Sequence, residues 1–288
     1  MDAEAFDRSA KSLGRLPATI SPWHGKRSRR DMNSIAIVAF GCRILVVSDC
    51  GRALETLDRF LLPSLPRAAP DEAGSEILLR VLCDGDGFQL ICNGAAEPAR
   101  DLRALTVGAV RLIDEAIVAR LSNLSAVHAG AVQFGDRALL LPGGTHAGKS
   151  ALVAELLRCG AVYLSDEYAL IDDRGRAQAY PRPLLLRNGG AEQVPRLPEE
   201  FHAAVANAPV PVGWILALQY DAAADWRLAA TAQSEALLAL LRNTPHVLAE
   251  TPRVLPALTR ASAGSKCYAG KRGDAADAAG HILRLVAE

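Results

Sequence analysis

The 288-residue sequence carries no net charge: 32 lysines and arginines balance 32 aspartates and glutamates. That balance removes any global electrostatic case for nucleic acid or for an acidic membrane surface. No uninterrupted apolar run approaches the ~20 residues that span a bilayer. The opening MDAEAFDRSAK is acidic and polar rather than an apolar signal core. Cys42, Cys50, Cys83, Cys92, Cys159 and Cys267 are scattered, with no C-x-x-C pair and no histidine at zinc-ligand spacing. Several lie in apolar runs, where a reduced thiol behaves as a small hydrophobe, so reduced thiols are expected rather than a disulfide framework. No internal repeat recurs at a period of roughly 20–50 residues. Together these absences predict a soluble, cytoplasmic chain that engages neither membrane nor nucleic acid.

Half of the residues are hydrophobic, ample for a core, and the length suits two domains or one large one. Residues 1–33 show little periodicity and carry the basic run His24-Gly-Lys-Arg-Ser-Arg-Arg30. They read as a basic, flexible arm, with an acidic partner or a peptide as the alternative use of its cations. Residues 34–124 read as a small α+β domain. Short β-branched runs, Ile35 to Ala39 and Arg43 to Val47, flank Phe40-Gly41-Cys42, a hairpin signature. A helix is predicted over Ala53 to Leu62, and a Pro- and Ala-rich piece, Pro63 to Pro70, breaks it. Strands follow at Ile77 to Cys83 and Phe88 to Cys92 about the turn signal Asp-Gly-Asp-Gly. Apolar residues at helical spacing then predict a linking helix over Leu102 to Leu121, capped by Asp101.

Residues 125–288 hold the chemistry. Gly143, Gly148, Lys149 and Ser150 complete G-x-x-x-x-G-K-[ST], with Gly144, Thr145, His146 and Ala147 between them. The apolar strand Arg137 to Leu141 precedes the turn and a helix, Lys149 to Arg158, follows. In that arrangement successive backbone N–H groups converge on an anion, so a nucleotide phosphate is the expected ligand. The lysine supplies a point charge for the β- and γ-phosphates, and the Ser150 hydroxyl takes a Mg²⁺ position. Asp166-Glu167 follows the short apolar strand Ala161 to Leu164, at a strand's C-terminal end, where α/β sheets place their crevices. One carboxylate can hold Mg²⁺, and the other can accept a proton from an attacking hydroxyl. His128, in the strand-like run VHAGAV, is either a packed core residue or a group that tunes that base or meets a phosphate oxygen. Beyond this stretch, Tyr180 to Arg187 is extended and carries Arg182 and Arg187. Asn188-Gly189-Gly190 ends it, and Glu192 to Pro211 reads as a loop with a short helix. A buried strand is predicted over Gly213 to Tyr220, an amphipathic helix over Ser234 to Leu241, a turn over Lys266 to Asp274 and a last helix over Ala275 to Val286.

VHAGAV, the loop GGTHAGKS and LLRCGAVYLSDEYALI, in this order and near these separations, resemble the HPr kinase/phosphorylase-like kinases. The resemblance covers Ser125 to Asn188 and weakens beyond. The layout, a P-loop HPr-kinase-like α/β nucleotide domain after a small α+β domain, is most similar to HPr-kinase-related enzymes of peptide natural-product clusters. Lasso-peptide precursor serine kinases are among these. The resemblance implies an ATP- and Mg²⁺-dependent phosphotransferase acting on a serine hydroxyl of a precursor peptide or small protein, and a homo-oligomer. It implies Lys149 on the phosphates, Ser150 on Mg²⁺, Asp166 as general base, Glu167 as the second carboxylate near the metal, and His128 assisting Asp166. Either Arg182 or Arg187 would neutralise charge on the transferred group. His146 stands where the family has glycine, a position histidine tolerates better than most side chains. Asp-Glu replaces the family's Asp-Asp, and the C-terminal signature that engages HPr is missing, which makes HPr an unexpected substrate. Two other readings stay open: a kinase of a free small-molecule hydroxyl, and a nucleotide-binding regulatory module without transfer.

Overall fold

The computed structural model describes residues 33–72, 74–144, 147–187, 190 and 192–288. The basic cluster Lys26 to Arg30, the loop residues Thr145 and His146, and Asn188-Gly189 lie outside the described residues.

The expected hairpin forms from β1 (Asn33–Ala39) and β2 (Cys42–Ser48). Its two turn residues, Phe40 and Gly41, both adopt positive φ, which matches the twist of the flanking strands. Helix α1 (Gly51–Phe60) follows, then β3 (Arg67–Ala68), β4 (Ile77–Asp84), β5 (Gly87–Cys92) and β6 (Ala95–Ala99). These strands make one six-stranded sheet in the order β3-β1-β2-β4-β5-β6. Helix α2 (Leu102–Val118) begins where the sequence places its cap, with the Asp101 carboxylate accepting from the Ala104 N–H at 2.7 Å.

The second half contains β7 (Leu124–Phe134), β8 (Arg137–Pro142), α3 (Lys149–Arg158), β9 (Val162–Ser165), β10 (Tyr168–Asp172) and β11 (Arg176–Gln178). A two-stranded ribbon, β12 (Leu184–Arg187) and β13 (Gln193–Arg196), comes next and is followed by a 3₁₀ turn at Pro198–Phe201. The chain closes with β14 (Val210–Tyr220), β15 (Arg227–Ala230), α4 (Gln233–Arg242), α5 (Thr251–Ala263), β16 (Lys266–Arg272) and α6 (Ala275–Ala287). The segment expected to be a turn, Lys266 to Asp274, is therefore mostly strand. It pairs in parallel with β14 from Trp214↔Lys266 to Tyr220↔Arg272. Its polar composition hides this, because β16 alternates buried and accessible residues instead of reading as an apolar run.

The second, eight-stranded sheet runs β11-β10-β7-β8-β14-β16-β15, with β9 also on β7; β11 additionally pairs β14, so the path curls back on itself. Alternation along β8 explains why it needs apolar residues throughout. Ala138 and Leu140 face a core shared with α4 and α5, whereas Leu139 and Leu141 face one shared with α3 and α6. A strand covered by helices on both faces reads as a continuous apolar run, as RALLL does. Gly130 on β7 is required by the same layering: a Cβ there would lie 2.7 Å from Val153 Cγ2 of α3. The core under the first sheet takes in Ala126, Leu170 and Tyr180 from the second half, and Asn33–Glu288 forms one compact unit. The fold is thus mixed α/β. All six cysteines are free thiols, and among the described residues no helix is long and apolar enough to cross a membrane.

Candidate active site

Strand register brings the sequence motifs together. β7 lies between β8 and β9 and is antiparallel to both, with Ala129 opposite Pro142 and Ala131 opposite Ser165. The glycine-rich turn after β8 and the acidic pair after β9 therefore leave the sheet at the same end. His128, mid-strand in β7 and next to Ala129, pairs with Tyr168 in register. Its carbonyl accepts from the Gly143 N–H at 3.3 Å, and the Ala129 N–H donates to the Glu167 carbonyl at 3.1 Å.

The turn ends at Gly148, which caps α3 in the left-handed region at φ 70°, ψ 19°. No backbone acceptor among the described residues takes the N–H groups of Gly148, Lys149 or Ser150, and the start of α3 carries a positive dipole end. Lys149 is buried, and its Nζ donates to the Gly144 carbonyl at 2.9 Å. Burial pulls its pKa down, opposed by Glu167 and Asp166. A Cβ on Gly148 would sit 2.4 Å from Arg272 Nη2. Gly148→Ala is accordingly expected to lower stability by at least the ~1–2 kcal/mol of a left-handed non-glycine residue, read as a lower thermal midpoint of the purified chain.

The two acids have different environments. Asp166 is only 1% exposed, with Arg182 Nη1 3.9 Å from its Oδ2. The Ser150 hydroxyl is close enough to favour its charged form, yet neither Asp166 oxygen accepts a hydrogen bond of ordinary geometry from the described residues. Burial raises its pKa, with Arg182 pulling the other way. Glu167 instead lines the cleft, and its Oε1 lies 2.6 Å from His128 Nε2. Burial pushes Glu167 up, but the His128 bond, Arg182 and Lys149 outweigh it and bring it to about 2. With the carboxylate ionised, the bond requires the proton on Nε2. Sequence reasoning gave His128 and the base to Asp166; the structure joins His128 to Glu167 and buries Asp166 beside Arg182 and Ser150. Consecutive residues at a strand end point in opposite directions, and spacing alone could not say which one faces the cleft.

Behind the acids lies a buried charge chain. Arg182, 2% exposed, has its Nε 2.9 Å from Asp114 Oδ2, and its carbonyl accepts from the Tyr163 hydroxyl at 2.9 Å. The Tyr180 hydroxyl donates to Asp114 Oδ1. Burial lifts Asp114 to about 6 against the pull of Arg182 and Tyr180. Arg182 loses to burial but is raised overall by Asp114, Glu167 and Asp166. Arg187, by contrast, is exposed at the end of β12 and lines the outer part of the cleft. Asp114 was missed by the sequence reading, although an acid on the apolar stripe of α2 was a visible signal. Arg272 and Tyr220, which meet beside the loop at the paired ends of β14 and β16, carried no signal of their own.

Lys149, Ser150, Glu167, Asp114, Arg182 and Arg272 are among the residues lining a cleft of ≈ 710 Å³ between α2, the start of α3, the β12–β13 ribbon and the β16–α6 junction. Among the described residues no group of three or more His, Cys, Asp or Glu is placed to hold a metal. Asp166 and Ser150 still offer hard oxygen donors of the kind Mg²⁺ uses together with substrate phosphates, and the unpartnered Asp166 oxygens fit that use. No family model matches the chain, and no curated protein matches it.

Proposed function

We propose that this chain is an ATP- and Mg²⁺-dependent kinase of the HPr-kinase-like kind, transferring the γ-phosphoryl group to a serine hydroxyl of a peptide or small protein. The observation that carries the reading is Glu167, held 2.6 Å from His128 and lining the same cleft as Lys149 and the start of α3. Phosphoryl transfer asks a protein for positioning and charge stabilisation more than for covalent chemistry, and the cleft supplies both. Lys149 leaves the Gly144 carbonyl for the β- and γ-phosphates, while the N–H groups of Gly148, Lys149 and Ser150 take phosphate oxygens. Asp166 and Ser150 would hold Mg²⁺, which neutralises charge on the phosphates when bound.

Glu167 accepts the proton of the attacking hydroxyl, and His128 fixes the carboxylate's orientation. In the free protein Glu167 is a weak base. Phosphates arriving beside Lys149 offset the positive field that depresses it, so its basicity rises as the substrate complex forms. Arg187, at the cleft's outer edge, is placed to meet acceptor or phosphate; Arg182, committed to Asp114 and Asp166, acts by holding the acids.

The test is incubation of the full chain with γ-labelled ATP, Mg²⁺ and serine-containing candidate peptides, followed by intact-mass analysis. A gain of one phosphate on the peptide, lost in Lys149→Ala, is expected. Nucleotide binding without transfer to any peptide or small hydroxyl compound would instead make the chain a binding module.

A further inference from the structure

Arg272 is buried to 2% exposure, yet among the described residues it makes no ion pair. Its Nη2 donates to the Gly148 carbonyl at 2.7 Å and to the Ala147 carbonyl at 3.2 Å, and its Nη1 to the Gly273 carbonyl at 3.0 Å. The guanidinium lies over the Tyr220 ring, 5.1 Å from its centroid. The exposed Asp274 carboxylate, two residues on, offsets part of this charge from beyond ion-pair distance; a buried cation held mainly by neutral carbonyls and a ring still gains when a further counter-charge arrives.

We infer that Arg272 is a positioning residue for the polyphosphate of the nucleotide, which clamps the end of the glycine-rich loop and supplies a buried positive charge that the phosphates help to neutralise. The inference rests on reading the cleft as a nucleotide site. In a trans peptide the C=O and N–H point in opposite directions. Holding the Ala147 and Gly148 carbonyls toward Arg272 therefore turns the N–H groups of Gly148 and Lys149 the other way, toward the mouth of α3. Tyr220 supports the guanidinium from below, and the requirement for glycine at 148 follows from the same contact. Arg272 reaches the loop only because β16 runs parallel to β14, which itself runs parallel to β8, the strand that feeds the loop.

The experiment is calorimetric titration of ADP with Mg²⁺ into the full chain and into Arg272→Met and Arg272→Lys, with thermal melts of each without nucleotide. Arg272→Met is expected to weaken ADP binding by about tenfold or more, while its melting temperature in the absence of nucleotide holds or rises. Arg272→Lys, which keeps the charge but not the two-pronged clamp, should recover part of the affinity. A merely structural arginine would lower the melting temperature together with the affinity, and that result would overturn the inference. So would Arg272→Met binding ADP as the parent does, or Arg272→Lys matching it fully. If the unaltered chain binds no ADP, the nucleotide reading itself fails; if it binds and the variants do not differ, only the role of Arg272 falls.

Discussion

Glu167→Gln is expected to reduce phosphoryl transfer by about 10²–10⁴-fold, the usual contribution of a positioned general base, while ADP binding changes little. The amide keeps the shape of the side chain and can still face His128, but it cannot take a proton from the acceptor hydroxyl. Asp166→Asn should behave differently. It removes the buried carboxylate beside Ser150, so its defect should appear as a raised Mg²⁺ requirement that excess metal partly relieves. Steady-state rates across a Mg²⁺ series separate the two variants. If Glu167→Gln turns over normally while Asp166→Asn is dead at every Mg²⁺ level, the base is Asp166 and the pairing with His128 has another purpose. The stability consequence of Glu167 has a definite sign. Its folded pKa of about 2 lies below the unfolded value of ~4.3, so its stabilisation is present above the unfolded pKa and is lost as pH falls toward 2. His128→Gln removes the strongest group holding Glu167 down, and should shrink that acid-side loss in a urea series taken from pH 6 downward.

Arg182→Met is expected to be the most destabilising single change at the site, at about 3–5 kcal/mol at neutral pH, because it leaves buried carboxylates without their cation. Asp114 loses a partner at 2.9 Å and Asp166 one at 3.9 Å, and both acids are almost fully buried. The pH dependence follows from Asp114, which burial already lifts to about 6. A folded pKa above the unfolded ~3.9 means the folded chain keeps a proton that the unfolded chain has released. Stability then falls as pH rises through that window. Without Arg182 the window should move upward, so urea midpoints of Arg182→Met should drop further between pH 5 and pH 8 than those of the parent. Arg182→Met with Asp114→Asn should recover part of the loss, since groups in one network couple. An additive double variant would mean that the two charges do not act on each other.

Much of the first sheet was legible because its signals are local. The Phe40-Gly41 turn, the Asp-Gly-Asp-Gly turn and the Asp101 cap each act within a few residues. The apolar period of α2 was equally clear, although its last turn ends at Val118 rather than at Leu121. At the site, the glycine-rich turn could be read because a strand, a turn and a helix are contiguous in sequence. His128 and the acidic pair were also visible, the histidine within an apolar strand and the acids just after one. Arg182 was visible only as one of two arginines; its burial among three acids separates it from Arg187.

The amino-acid sequence by itself determined the phosphate-cradle motif, its strand and helix, and the shortlist of His128, Asp166 and Glu167. Those are consequences of short-range spacing, which a linear chain carries in full. Only the tertiary structure decided that His128 meets Glu167, that Asp166 is buried beside Arg182, and that Asp114 and Arg272 line the same cleft. These pairings join residues far apart in the chain, through the register of β7 with β10 and of β14 with β16. Register depends on which faces of several strands are buried at once. No single segment encodes it.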